Sequence, residues 1–200
     1  MTTMTRYERT KNFIVDKLDR ELPANLYYHG VHHVLDVLAA AEMLGEKEKI
    51  SEKEMELVKV AVLFHDSGFL VSATNHEQRG CDLARKNLPG FNYSDKEIES
   101  ICGMIIATSY PQKPKNHLEE IICDADLDYL GRDDFFTTGN NLLKEMNTNG
   151  SVQTEADWNK LQETFLNSHR YFTDTANRLR NKKKQEHLEK IRQMNRGIKN

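Results

Sequence analysis

The 200-residue sequence predicts an all-α fold on three observations. Apolar residues recur at intervals of three and four through most of the chain, and segments that alternate apolar with polar residues are nearly absent. Gly and Pro are scarce, at 10 and 4, so long stretches run without a breaker. A first helix covers about Met4 to Arg20 and stops before Pro23, which pushes its predecessor out of helical geometry. The second begins near Tyr28 and runs to about Leu44, with Gly45 in its C-terminal position. Ser51 with Glu54 forms a capping box that opens a third helix, ending around Asp66 before Gly68. A fourth spans about Thr74 to Asn87 and ends at Leu88-Pro89-Gly90. Ser94 with Glu97 is a second capping box, opening a helix that runs to about Thr108. A proline-bearing loop, Ser109 to Lys115, follows it. Helices then cover about Leu118 to Asp126, Asp133 to Met146, Glu155 to Asn167, and Thr173 into the tail. About eight helices are expected to fold as one unit, with an N-terminal helix over 1–24, a core over 25–135 and a helical extension over 136–200.

Composition narrows the class further. With 38% hydrophobic residues the chain can bury one good core. Cys81, Cys102 and Cys123 are odd in number and far apart, and the start of the chain has no apolar leader, so a reducing, cytoplasmic setting is expected. No run of about 18 apolar residues is present to span a membrane. A net charge of −3 gives no field that would gather nucleic acid or anionic lipid. The basic stretch from Arg178 to Lys199 has Leu188 and Ile191 on a narrow apolar stripe, and reads as a solvated helix packing weakly on the domain.

Four residues then point to chemistry: His33, the adjacent His65 and Asp66, and Asp126. Met55, Val58, Val62 and His65 share one helical stripe, so the imidazole of His65 faces the core. Burying Asp66 beside it costs several kcal/mol unless the charge is met, and a bound cation meets it for both groups at once. His29, His33 and Val37 lie one turn apart on a single line, and Asp126 ends an apolar run through Leu118, Ile121 and Ile122. Asp124 and Asp128 read as solvent-facing acids or turn formers. His32 falls on the other face of its helix, His117 opens a helix, and His169 with Arg170 ties the C-terminal half to the core.

An isolated His, an adjacent His-Asp and a later Asp, in that order, resemble the HD superfamily of metal-dependent phosphohydrolases, and the likeness covers about residues 25 to 135. The segment Tyr28 to Val37 is also similar to the histidine signature of cyclic-nucleotide phosphodiesterases, with Gly30 where those enzymes usually have Asn. The resemblance implies an HD-type helical domain in which His33, His65, Asp66 and Asp126 hold a divalent metal, with His76 as a ligand for a second one. It places His29 as proton donor to the leaving oxygen and Asp66 beside the attacking water. Mn, Fe, Co, Ni, Zn and Mg all suit such ligands. Substrate phosphate also needs donors, for which Arg132, then Lys113 and Lys115, are the candidates. The implied partner is a small phosphoester, a nucleotide or a similar metabolite; oligomeric state, a homodimer included, stays open. The alarmone-hydrolase and Gly-Tyr-Pro branches are set aside, because Ser67-Gly68-Phe69-Leu70 follows His65-Asp66 and no Gly-Tyr-Pro occurs. Two readings compete: a di-iron oxygenase of the same superfamily, which needs a histidine where Thr108 stands, and a nucleotide sensor without turnover.

Overall fold

The computed structural model describes residues 3–197, and among them every regular element is helical. Nine α-helices are present among the described residues, one for each of the helical segments set out above: α1 (Arg6–Glu21), α2 (Val31–Lys47), α3 (Glu52–Phe64), α4 (His76–Asn87), α5 (Asp95–Ala107), α6 (His117–Asp126), α7 (Phe135–Thr148), α8 (Glu155–Ser168) and α9 (Asp174–Gly197). Short 3₁₀ turns cover Ser67–Leu70, Leu88–Phe91 and Asp128–Gly131. Both expected capping boxes form, Ser51 with Glu54 and Ser94 with Glu97, and Thr5 with Glu8 makes a third at the start of α1. Each satisfies backbone N–H groups that the first turn leaves unpaired, typically worth about 1 kcal/mol.

Helix α3 is the hub. Val58, Val60, Ala61, Val62, Leu63 and Phe64 are all 0% exposed, which requires neighbours on every side of the helix, and α1, α2, α5 and α6 supply them. A smaller apolar cluster joins Tyr28, Tyr129, Leu130 and Phe135 to Leu166, Leu188 and Ile191, fastening the C-terminal helices to the α2 side.

Three expectations are corrected here. Gly45 does not end α2; it lies inside the helix, where the side chains of Met55 and Ile50 leave no room for a Cβ. Asp124 and Asp128 do not face solvent. Asp124 accepts hydrogen bonds from the Phe172 and Thr173 amides and the Thr173 hydroxyl, and Asp128 takes a bidentate pair from Arg180. The basic tail is no loosely held arm, since α9 buries Lys184, His187, Leu188 and Ile191 against α8 and the 128–131 turn. Lys184 donates to the His169 carbonyl at 2.6 Å, and a Cβ on Gly131 would sit 2.4 Å from the Arg180 carbonyl oxygen, so only glycine permits this approach. No helix among the described residues is long and apolar enough to cross a membrane.

Candidate metal centre and its cavity

The ends of helices, not their middles, build the site. His33 lies in the first turn of α2, whose packing on α3 turns it inward. Helix α3 stops at Phe64, and the next two residues are His65 and Asp66. There Ser67 Oγ donates to the Phe64 carbonyl at 2.8 Å, and His65 Nδ1 donates to the Val62 carbonyl at 2.7 Å. That bond commits Nδ1 of His65 to the backbone and leaves Nε2 facing the interior. Helix α6, capped by the Asn116 side chain, ends on Asp126.

These donors converge. Ligand atoms of His33, His65 and Asp66 all lie within 4.8 Å of one another. The two Nε2 atoms are 3.4 Å apart. Asp66 Oδ2 stands 3.1 Å from His65 Nε2 and 3.5 Å from His33 Nε2, while Asp126 Oδ1 stands 3.2 Å from His33 Nε2. Ligands about 2.0–2.2 Å from a shared cation fall roughly 3 Å from each other, the spacing seen here. Asp66 Oδ2 is buried and makes no hydrogen bond, and its polar neighbours are the two imidazoles at ion-pair distance. Charge tells the same story. Burial works against a charged His65, yet Asp66 and Asp126 override it and raise its pKa well above the imidazole range. Burial alone would lift both carboxylates, but His65 holds Asp66 well below its usual value, and His33 with His65 hold Asp126 down to about 2. The set fits a divalent cation.

Asp66 also faces outward. Its Oδ1 lies 3.4 Å from His76 Nε2, and that imidazole is 3.5 Å from Glu77 Oε1. Burial opposes charge on His76, but Asp66 outweighs it and raises the pKa. His76 opens α4 directly after Asn75, which takes the left-handed conformation at φ 55°. His29 approaches from the other side and stacks on Phe69, ring centroids 4.3 Å apart. Its Nδ1 donates to Glu145 Oε1 at 2.5 Å, and Glu145 Oε2 accepts from the Tyr28 and His29 amides. Burial would raise the Glu145 pKa; the His29 bond and the two amides lower it instead.

Of the candidate ligands, Asp66 and Asp126 open onto a cavity of about 380 Å³, with Tyr28, His29 and His76 beside them at one end and side chains of α7 and α8 at the other. Thr108 reaches this cavity but donates its hydroxyl to the Ile105 carbonyl. Lys113 and Lys115 instead border a separate groove with Arg85 and Glu99. Arg132 is spent elsewhere, paired with both Asp36 oxygens at 2.9 Å and with Asp134 at 2.7 and 2.9 Å. The folded chain therefore directs none of these three cations into the cavity. Glu145, Tyr129 and Trp158 were missed from sequence. The signal for Glu145 was an acid on the same α7 face as Gly139 and Leu142.

The profile of the HD domain matches residues 30–128, a span that runs from just before His33 to just past Asp126. The chain carries an HD domain. The HD fold extends beyond the profile. A predicted HD superfamily hydrolase from an uncultured Thermotogales bacterium superposes with TM-score 0.62 at 18% identity, covering 95% of this chain and 91% of that one. Bacillus subtilis YpgQ in complex with ADP gives TM-score 0.64 at 18% identity, covering 96% and 97%. A Lactobacillus plantarum protein gives 0.63 at 17%, covering 97% and 98%. At these identities the likeness is one of fold. No curated protein matches the HD chain in sequence.

Proposed function

We propose that this HD protein is a metal-dependent phosphohydrolase that cleaves a phosphoester of a nucleotide or similar small phosphorylated metabolite with an activated water. One observation carries the reading: His33, His65 and Asp66 bring ligand atoms within 4.8 Å of one another, Asp126 Oδ1 stands 3.2 Å from His33 Nε2, and Asp66 and Asp126 line the head of a cavity. A divalent cation bound there supplies a Lewis acid for a phosphoryl oxygen and an acidified water. The side chains do the rest. Asp66 turns one oxygen to the ligand cluster and the other toward His76, so it orients a water between them. His29, anchored through Nδ1 by Glu145, presents Nε2 to the cavity and delivers a proton to the departing alkoxide, a contribution of about 10²–10⁴-fold. The stack of His29, Phe69 and His76 keeps both imidazoles in place. A nucleotide is one class to test, given the ADP complex of the Bacillus subtilis protein.

The test is metal content together with phosphate release from nucleoside phosphates, cyclic nucleotides and simple phosphoesters, for the native chain and Asp66→Ala. Turnover that needs added Mn²⁺ or another divalent ion and vanishes in the variant supports the proposal. A chain that binds no divalent metal overturns it, and two irons per chain with no phosphate release favour the oxygenase.

A further inference from the structure

The cavity beyond the metal ligands bears on what the site binds, an inference that rests on the phosphohydrolase reading. Protein interiors pack with few voids larger than a water molecule, so a chamber of about 380 Å³ that opens onto metal ligands is a built site. Its charge is one-sided. Asp66, Glu77 and Asp126 line it, and among the described residues no Lys or Arg does. A divalent cation and the imidazoles of His29 and His76 meet that charge at the metal end, and no fixed cation among the described residues lines the chamber to balance the further charge of a diphosphate or triphosphate. One phosphoryl group is what the metal end can hold.

The rest of the chamber is greasy. Leu142 and Met146 from α7 face Trp158 and Phe165 from α8, with Gln162 adding an uncharged amide. Such a wall gains from removing apolar surface from water and offers little to a ribose or a charged tail. We infer that the ligand of this site pairs a single phosphoryl head with an alkyl or aryl body, a phosphomonoester of an apolar alcohol, and that the body fills the chamber between α7 and α8. Gly139 sets the width of that chamber. A Cβ added there would stand 3.6 Å from Gln162 Oε1 and 3.7 Å from Trp158 Cζ2, ordinary contact distances, so a larger side chain can grow into the space. Replacing a glycine inside a helix also favours the helix, so the variant should fold.

The reporter is built in, because Trp158 is the single tryptophan of the chain and lines the chamber. Titration of the Mn²⁺-loaded full chain with methyl-, butyl- and hexylphosphonate reads occupancy through its fluorescence. Beside it, kcat/KM is measured for methyl, butyl, hexyl and phenyl phosphate and for ADP and ATP. The expected result is affinity and kcat/KM that climb with chain length, approaching about fourfold per methylene, with ADP and ATP below hexyl phosphate. Gly139→Leu should flatten that series. Affinity independent of chain length overturns the inference. Hydrolysis that prefers ADP or ATP removes the chamber assignment and keeps the hydrolase, whereas graded phosphonate binding with no ester hydrolysed keeps the chamber and removes the hydrolase.

Discussion

Glu145 holds His29 at two points and the residue before it at a third: its Oε1 accepts from the imidazole Nδ1, and its Oε2 accepts from the amides of His29 and Tyr28. The carboxylate thus fixes both the ring and the backbone just ahead of α2, and it acts on chemistry only through His29. Glu145→Gln keeps the shape but loses the charge-assisted bonds, and should lower kcat about 10–100-fold. In a double-mutant cycle, His29→Ala with Glu145→Gln should be no slower than His29→Ala alone. Additive losses would show that Glu145 acts independently of the imidazole.

Gly68 lies in the turn that follows His65 and Asp66, and a Cβ there would fall 1.9 Å from the His76 carbonyl oxygen. Backbone cannot yield as a side chain does. Gly68→Ala should therefore cost about 1–3 kcal/mol of stability and push α4 away, separating His76 from Asp66. Thermal melts measure the first effect, and reduced turnover at unchanged metal content the second.

Arg132 shares its guanidinium among Asp36, Asp134 and Asp128. Asp128 is buried, so removing one of its two arginine partners leaves charge incompletely met. Arg132→Met should lower the melting temperature and leave KM within about twofold, since stability and not phosphate binding is what the arginine serves. A KM rise with an unchanged melting point would return it to the substrate.

The contrast between Arg132 and His65 explains how far the sequence can be read. His33, His65 and Asp126 continue helical stripes that can be counted residue by residue, Asp66 follows His65 directly, and their order resembled one superfamily. Arg132 looked free because Asp36, 96 residues away, becomes its partner only when α2 packs beside the 128–131 turn. The same distance hid Glu145, 116 residues from His29. Lys184 looked solvated because its stretch of α9 is mostly basic, yet it is 2% exposed beside His169. Local periodicity marks which residues turn inward; which inward residues meet is set by tertiary packing.

The ligand cluster should couple metal to folding. A cation that binds the native state alone stabilises it by about 2.7 kcal/mol at a concentration 100 times its Kd. For a chain of 200 residues this corresponds to roughly 5–10 °C. Melting with and without Mn²⁺ should show that shift in the native chain and not in Asp66→Asn. Equal shifts in both would place the bound ion elsewhere.

His169, which is not one of the candidate metal ligands, supplies a pH test, with Asp126 acting on it in the opposite sense to burial and Lys184. It is buried, Lys184 Nζ lies 3.3 Å from its Nδ1, and its Nε2 has no partner. Burial first, and Lys184 second, push its pKa down to about 3, whereas an unfolded imidazole titrates near 6.5. The native state must then keep this ring neutral while the unfolded chain takes up a proton. The stability it protects is complete above about pH 6.5 and is lost as pH falls from there toward 3, at about 1.4 kcal/mol per unit. Chemical denaturation between pH 7 and 4.5 should show unfolding free energy falling with pH in the native chain, with a shallower slope in His169→Asn. Identical slopes would mean that the ring takes up its proton in the folded chain as readily as in the unfolded one.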